Sequence, residues 1–288
     1  MALGTEANRG CIVTESKIKP PLKWHGGKHF LAHRIIALMP AHKHYVEPYA
    51  GGLSVLLAKD PEGVSEVAND LSQDLSNFWR VLQSADTWQD FRRVVEAVPF
   101  SEGEFADARR VTVFGSDIDR AVNFFVRCRQ SLAGRMKSFT GVTKTRTRRG
   151  MNNEVSAWLT AVEGLPAVHA RLKRVLILNR PALDVIRGHD TPNTLFYLDP
   201  PYLHETRVTT KDYAHEMSEQ QHAELLVALT NIKGKFLLSG YPSNLYDEQA
   251  RVLGWTRHDF PTANHAAGGK TKRVMTESVW TNYTPEAM

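Results

Sequence analysis

Short apolar segments alternate with segments of helical periodicity in the first third of this chain. Residues 45–47 and 64–68 are each typical of a short buried strand, and a glycine-containing turn and a helix over residues 53–59 lie between them. After the second strand, apolar residues recur at helical spacing: Leu71, Leu75, Phe78, Trp79 and Leu82. Strand, helix, strand and helix in this order predict a parallel sheet.

The same alternation resumes in the last 120 or so residues of the chain. Three more apolar segments are predicted as strands: residues 174–178, 194–198 and 236–238. Before the last of these, Ser218 and Gln221 form a capping box at the start of an amphipathic helix. Residues 255–260 and 274–282 predict a terminal hairpin. We therefore expect an α/β protein with a Rossmann-like sheet.

The middle of the chain has helical segments but few convincing strands. Between residues 127 and 149 it carries eight basic residues and no acid: Arg127, Arg129, Arg135, Lys137, Lys144, Arg146, Arg148 and Arg149. We interpret residues 81–165 as a helical insert with a mobile basic loop. Its segment Ser131-Leu132-Ala133-Gly134-Arg135, just after Arg129-Gln130, is a candidate for contacts with base edges, since Arg and Gln suit guanine and adenine. The insert divides a catalytic domain into residues 19–80 and 166–288, and residues 1–18 are expected to form a flexible leader.

Composition sets outer limits on what the chain can be. Its 288 residues, 42% hydrophobic, suit one large core with an insert. The net charge of +5 and the isoelectric point of about 9.2 are compatible with a polyanionic partner without establishing one. Two cysteines without metal spacing, no signal-peptide pattern and no membrane-length apolar run predict a reduced, cytoplasmic protein of a bacterial or phage-infected cell. The histidines show no convincing metal spacing, so no metal is expected.

The turn at Gly51 and Gly52 is a candidate ligand site. Glycines between a strand and a helix let the backbone approach a ligand at the carboxyl end of a sheet. Asp70 ends the next strand, where an acid commonly accepts hydrogen bonds from ribose hydroxyls, although it also suits a helix N-cap. No phosphate-binding lysine follows the glycines. S-adenosylmethionine (AdoMet), a nucleoside without phosphates, meets this description.

The sequence Asp199-Pro200-Pro201-Tyr202 follows the predicted buried strand 194–198. An exocyclic base amine is a poor nucleophile, because its lone pair is delocalised into the ring. The Asp199 carboxylate and the Pro200 carbonyl can accept its two N–H bonds and direct the lone pair at a sulfonium methyl. Pro201 stiffens the turn, and Tyr202 offers a ring for base stacking. The alternative is structural: the prolines only end the strand and Tyr202 packs against it.

A base inside duplex DNA is out of reach of such a site, so the target nucleotide must be flipped out. The basic residues of the insert would hold the phosphates. The connection within the terminal hairpin adds three more predicted DNA-binding residues, Lys270, Lys272 and Arg273. Residues 203–213, which include Thr206, Arg207 and Tyr213, are candidates for a lid over the flipped base.

Five segments in a fixed order resemble the Dam-like, or D12 class, adenine-N6 DNA methyltransferases, especially phage-encoded members. They are Lys23-Trp24-His25-Gly26-Gly27-Lys28, Tyr45-Val46-Glu47-Pro48-Tyr49-Ala50-Gly51-Gly52, Asn69-Asp70-Leu71, Asp199-Pro200-Pro201-Tyr202 and Glu277-Ser278-Val279-Trp280-Thr281-Asn282-Tyr283. Ser72 and Gln73 depart from the family's usual continuation after the third segment.

The resemblance implies a Rossmann-like AdoMet-dependent methyltransferase sheet with a mostly helical DNA-recognition insert. It implies that Trp24 and Lys28 contact AdoMet, and that Asp70 binds the ribose or adenosine part. Asp199 would lie next to the methyl donor and the target amine. The segment with Glu47, Pro48 and the two glycines would form the AdoMet motif.

The expected reaction is site-specific transfer of a methyl group from AdoMet to N6 of adenine in double-stranded DNA. Cytosine-N4 and RNA methylation remain alternatives, as does a non-enzymatic DNA-binding module. Cytosine-N4 enzymes more often have Ser, and protein-glutamine enzymes typically have Asn, where this chain has Asp199. A monomer is expected and a dimer is left open. A restriction-modification setting is compatible with the sequence, which does not reveal the DNA site or a restriction partner.

Overall fold

The computed structural model describes residues 18–110, 115–141, 143–203, 216–263 and 274–285. Their strands are β1 (His44–Glu47), β2 (Ser65–Asn69), β3 (Thr147–Arg148), β4 (Met151–Asn152), β5 (Val175–Leu178), β6 (Thr194–Leu198), β7 (Lys235–Gly240), β8 (Thr256–Ala263) and β9 (Val274–Thr281). Their helices are α1 (Ala32–Ile36), α2 (Ser54–Ala58), α3 (Gln73–Gln83), α4 (Ala85–Ala97), α5 (Glu102–Arg110), α6 (Asp117–Gln130), α7 (Asn153–Leu172), α8 (Ala182–His189), α9 (Glu219–Thr230) and α10 (Asn244–Leu253).

Seven strands of the described chain form one sheet in the order β5-β2-β1-β6-β7-β9-β8. The first five run parallel, and β9 pairs antiparallel with both β7 and β8. The continuous apolar run of β6 is buried along its whole length, as expected for a strand covered on both faces. The predicted α/β class, with a Rossmann-like sheet and a terminal hairpin, is confirmed.

The direction of strand addition reverses between β1 and β6. From β1 the chain moves outwards to β2, and later from β6 to β7 on the other side. The connections after β1 and β6 therefore diverge and leave a crevice at the carboxyl ends of these two strands. Tyr45 of β1 pairs with Leu195 of β6, so the segments that follow both strands emerge side by side.

Local sequence signals explain several helix ends. The capping box of Ser218 and Gln221 is present at the start of α9, as predicted, and Ser116 and Asp119 form another at α6. α3 begins at Gln73 with Ser72 as its N-cap, so the alternative that placed Asp70 in this role is wrong. Gly254 ends α10 in the left-handed conformation, with a φ of 69°.

The helices of the middle region extend the main core instead of enclosing one of their own. Phe78 of α3 packs against Phe91 of α4 and Phe125 of α6, at ring-centroid distances of 6.0 and 5.8 Å. These rings belong to the same buried cluster as Tyr45 of β1. The middle region is mostly helical, as expected, and its short β3–β4 pair turns at Arg149 and Gly150. The exact division into two domains stays a prediction.

Candidate active site

A cleft of about 620 Å³ lies at the carboxyl edge of the sheet, where the strand order reverses. All eight residues predicted to bind a cofactor line it, together with Pro201: Trp24, Lys28, Glu47, Pro48, Gly51, Gly52, Asp70 and Asp199. The cleft therefore joins segments that are far apart in the sequence. Its size is within the range of pockets that enclose a small organic ligand.

The glycine turn after β1 is shaped by the ring of Trp24. A Cβ added at Gly51 would lie 2.7 Å from Trp24 Nε1, and one added at Gly52 would lie 2.8 Å from Trp24 Cβ. Gly51 also has a φ of +48°, which side chains rarely adopt. Two adjacent glycines are required here because an indole lies against the turn. Trp24 is thus both a packing residue and a wall of the cleft.

The N-terminal segment is also fixed from the other side, by the loop that follows α6. A Cβ at Gly134 would overlap the Lys23 carbonyl oxygen, and the φ of Gly134 is +72°. Cys128 Sγ lies 3.5 Å from the same oxygen. The Lys23 ammonium lies 3.4 Å from Glu154 of α7. The segment is therefore held between the middle region and the glycine turn.

The Asp70 carboxylate is oriented by two backbone amides. Gly51 N–H donates to Asp70 Oδ2 at 3.0 Å, and Ser72 N–H donates to Asp70 Oδ1 at 2.9 Å. A carboxylate has about four acceptor positions, so these bonds orient the group without excluding a ligand hydroxyl. Asp70 thus links the glycine turn to the end of β2, at the position where the sequence predicted a ribose contact.

Asn69 fixes the relative positions of three loops at the cleft. Its side-chain amide donates to Pro48 O at 2.9 Å and to Arg180 O at 3.0 Å, and its Oδ1 accepts from Arg180 N–H at 2.9 Å. The Asn69 side chain is buried, and its bond to Pro48 lies wholly inside the protein, where it is shielded from water. This orienting role was not predicted, although the sequence does place Asn69 directly before Asp70.

Lys28 and Asp199 form an ion pair inside the cleft. The Lys28 ammonium lies 2.8 Å from Asp199 Oδ1 and 2.9 Å from Oδ2, and it donates to Gly26 O at 2.8 Å. The Lys28 side chain is only 6% exposed and that of Asp199 19%. A charge-assisted pair of this kind is strong in a poorly solvated site. The N-terminal segment is therefore bonded directly to the predicted catalytic aspartate.

Tyr202 is buried behind this ion pair. Its hydroxyl donates to Glu277 Oε2 at 2.6 Å, and its ring meets that of Tyr241 edge to face at 4.7 Å between centroids. The Lys28 ammonium lies 4.8 Å from the Tyr202 ring centroid, within the range of a cation–π contact. Burial, and the nearby Asp199 and Glu277 carboxylates, raise the pKa of Tyr202 well above its usual value, so the phenol stays protonated.

Glu47 ends β1 on the cleft side and is almost completely buried. Burial raises its pKa to about 8, although the Tyr45 hydroxyl donates to Glu47 Oε1 at 2.8 Å and opposes that rise. A carboxyl with this pKa carries its proton at neutral pH for most of the time. Glu47 can then present an O–H donor as well as acceptors to the cleft.

The basic residues predicted to bind DNA occupy different environments. Arg135 and Lys137 are exposed and line the cleft. Lys144, Arg146 and Arg148 are exposed on and beside the β3–β4 hairpin. These five side chains lie where a large polyanion has access to them.

The other three predicted basic residues form intramolecular contacts. Arg127 lies 3.3 Å from Asp74, and Arg149 makes a bidentate pair with Glu163 at 2.9 and 3.0 Å. Arg129 points inwards and donates to Ala157 O at 2.6 Å, and burial lowers its pKa. Gln130 is fully buried and bonds the backbone of Pro99 and Ser101, so its side chain serves the fold.

Some predicted residues cannot be placed. Three predicted DNA-binding residues lie outside the described residues: Lys270, Lys272 and Arg273. The same holds for the leader up to residue 17 and for the candidate lid from residue 204 onwards, with Thr206, Arg207 and Tyr213. Pro200 and Tyr202 do not line the cleft directly.

Within the described ranges, no three or more His, Cys, Asp or Glu side chains are grouped in a way that could hold a metal ion. No helix in those ranges has the length and apolarity needed to cross a membrane.

The reversal in strand order, with the glycine turn and the strand-end acids beside it, is consistent with a Rossmann-like methyltransferase fold. The family model of the D12 class N6 adenine-specific DNA methyltransferases matches residues 24–256, most of the chain. The chain belongs to this family and is an adenine-specific DNA methyltransferase. A search of curated proteins found no matching relative.

Proposed function

We propose that the enzyme transfers a methyl group from AdoMet to N6 of an adenine flipped out of duplex DNA, and that the cleft holds both reactants. The observation that supports this most is the convergence of the Gly51-Gly52 turn, Asp70 and Asp199 on one cleft. The first two suit a nucleoside, and Asp199 suits an amine. Bound there, AdoMet supplies an electrophilic methyl group on its sulfonium.

The residues of the cleft fit a nucleoside cofactor without phosphates. The Asp70 carboxylate, oriented by the Gly51 and Ser72 amides, would accept the ribose hydroxyls. The Trp24 ring forms an apolar wall beside the glycine turn. Beyond Asp70, the cleft is lined by Pro181 and Leu183, which suit the flat face of an adenine ring. No sequence pattern singled out Pro181 or Leu183, because both lie at an ordinary-looking helix start.

Asp199 lines the cleft and would accept one N–H of the target amine. The Pro200 carbonyl, which does not line the cleft, would have to turn towards the amine to accept the other. These bonds favour a pyramidal nitrogen whose lone pair is directed at the methyl group. In the transfer, the amine would attack the methyl carbon as the carbon–sulfur bond breaks with its electron pair on sulfur, and the nitrogen would then lose a proton to solvent. The reaction requires Lys28, which contacts both Asp199 oxygens, to share the carboxylate with the amine or to release it.

Duplex DNA would lie across the exposed basic residues. Arg135 and Lys137 line the cleft and would contact phosphates closest to the flipped nucleotide, while the β3–β4 hairpin would contact the duplex farther away. Tyr202 would support the flipped base. Its ring is buried beneath Lys28 and Tyr241, so stacking on it requires the Lys28 side chain to move.

The direct test is incubation of the protein with methyl-labelled AdoMet and duplex DNA of varied sequence, followed by analysis of the nucleosides. We expect label in N6-methyladenine. Label in N4-methylcytosine would support the cytosine alternative, and full competition by RNA would support an RNA substrate. Calorimetry without detectable AdoMet binding at millimolar ligand would favour a DNA-binding module. The cytoplasmic location, phage-type origin, monomeric state and restriction-modification setting stay predictions.

A further inference from the structure

We propose that Glu277 is a positioning residue of the active site, which orients Tyr202 and supplies the second negative charge beside Lys28. This inference rests on the proposed function, since it concerns the amine that Asp199 would hold. Glu277 lies in β9, 75 positions after Tyr202 in the sequence. It is neither a cleft-lining residue nor one that the sequence assigned a role of its own.

The position of Glu277 follows from the sheet. Ser278 of β9 pairs with Gly240, the last residue of β7, so Glu277 lies just past the carboxyl end of β7, on the edge that carries the cleft. Tyr241 follows Gly240 at the same place and packs on Tyr202. The bond from the Tyr202 hydroxyl to Glu277 therefore joins the turn after β6 to β9, which lies on the other side of β7 from β6.

Glu277 lies close to the Lys28–Asp199 ion pair, since the Lys28 ammonium is 4.8 Å from the centroid of the Tyr202 ring, whose hydroxyl donates to Glu277. Burial raises its pKa, the Lys28 ammonium and the Tyr202 hydroxyl oppose that rise, and the Asp199 carboxylate adds to it. Tyr197 of β6 is a further titratable group that interacts with Glu277. One cation, Lys28, is thus placed among two carboxylates, Asp199 and Glu277.

The ionisation of Glu277 changes the net charge of the group that it forms with Lys28 and Asp199. With Glu277 neutral, the charges of Lys28 and Asp199 cancel, and with Glu277 ionised one negative charge remains. Methyl transfer places positive charge on the amine nitrogen, which a negative site stabilises and an uncompensated Lys28 opposes. An ionised Glu277 also competes for Lys28 and so makes the Asp199 oxygens more available to the amine.

Three variants separate charge from hydrogen bonding. Glu277→Gln keeps an acceptor for the Tyr202 hydroxyl but removes the charge, Tyr202→Phe removes the hydroxyl but keeps the charge, and Glu277→Ala removes both acceptor and charge. Glu248→Gln, at an exposed position of α10, is the matched control. For each protein, kcat, the KM for DNA, the Kd for AdoMet and the pH profile of kcat are measured.

We expect Glu277→Gln to lower kcat about tenfold, with the KM for DNA and the Kd for AdoMet unchanged. The wild type, Tyr202→Phe and Glu248→Gln should keep a rise of kcat with pH as Glu277 ionises, and Glu277→Gln should lose this rise. If Glu277→Gln keeps the wild-type kcat and pH profile while Glu277→Ala is impaired, Glu277 only fixes Tyr202. This result would overturn the proposal.

A second readout does not depend on methyl transfer. Because the folded-state pKa of Glu277 is raised, its stabilising contribution is present at low pH and is lost as pH rises through that pKa. The thermal midpoint of the wild type should therefore fall relative to that of Glu277→Gln as pH increases. If the thermal midpoints of the two proteins change in parallel with pH, Glu277 does not titrate in this range. This result would overturn the proposal even if the protein has no methyltransferase activity. The absence of N6-methyladenine from the wild type would instead refute the proposed function alone.

Discussion

The cleft and the basic segment of residues 127–149 were both predicted from residue types, yet their predictions have different outcomes in the structure. The predicted cofactor residues come from four separate segments and converge on one cleft. The eight basic residues come from one continuous segment and are dispersed. Six are exposed, among them Arg149, which pairs with Glu163, whereas Arg127 pairs with Asp74 and Arg129 points into the protein.

The difference shows which signals determine a position in space. Parallel strands deliver their carboxyl ends to one edge, so recognising the strands before Asp70 and Asp199 placed both acids at the same edge of the sheet, where both line the cleft. A run of Arg and Lys has no such constraint. Each long side chain takes the partner its local surroundings offer, as Arg149 does with Glu163. A run of basic residues therefore predicts that the segment contributes to a basic surface, but it does not predict which of the side chains lie on that surface.

The largest effect is expected from replacing Asp199, the acid that follows β6. Asp199→Ala should lower kcat by at least about 10³-fold, because it removes an acceptor that orients the target amine and supports its developing charge. The Kd for AdoMet should stay largely unchanged, because the glycine turn and Asp70 are retained. Single-turnover kinetics and calorimetry measure the two quantities, with Glu248→Gln as the control. Unchanged turnover would remove Asp199 from the catalytic assignment.

The next effect tests the packing of the cleft. Gly51→Ala places a Cβ 2.7 Å from Trp24 Nε1, whereas Gly63→Ala, at a φ of +71°, meets nothing within 4 Å. Both variants have an unfavourable backbone conformation, which costs about 1 kcal/mol. Only Gly51→Ala should also displace Trp24 and weaken AdoMet binding about 100-fold. Equal AdoMet affinity in the two variants would show that the contact between Trp24 and the turn does not shape the site.

A smaller effect concerns the buried acid at the end of β1. The pKa of Glu47 is raised to about 8, so its stabilising contribution is complete below pH of about 4.5 and is lost as pH rises through about 8. Relative to Glu47→Gln, which keeps an acceptor for Tyr45, the wild type should lose about 2–3 kcal/mol of unfolding free energy between pH 5 and pH 7. Urea unfolding at both pH values measures this. A pH-independent difference between the two proteins would mean that Glu47 is already ionised.

The smallest effects are expected for single basic residues. Arg148→Gln should reduce the slope of log affinity for DNA against log salt concentration by about 1, since one phosphate contact is lost. Arg149→Gln should change it less, because its guanidinium is already paired with Glu163. Salt titrations of DNA binding with both variants make the comparison. A larger change in Arg149→Gln would show that the pair with Glu163 opens on DNA.

The sequence predicted the sheet and the strand-end residues of the cleft because both depend on local patterns. It could not predict contacts between distant segments. The indole of Trp24 against Gly51 and the bond from Tyr202 to Glu277 both require the assembled sheet. It also could not tell an exposed Arg148 from an inward Arg129, since both belong to the same basic run. Gln130 suited a base edge by type, and packing turned it into the core.

The proposed reaction requires that the cleft bind the cofactor between the glycine turn and Asp199. A crystal structure of the protein with S-adenosylhomocysteine, the product of methyl transfer, would show where the cofactor lies. We expect the ribose hydroxyls within hydrogen-bond distance of the Asp70 carboxylate, with the sulfur facing Asp199 and the Trp24 ring beside the ligand. A ligand bound elsewhere, or in the cleft with its sulfur turned away from Asp199, would contradict the account.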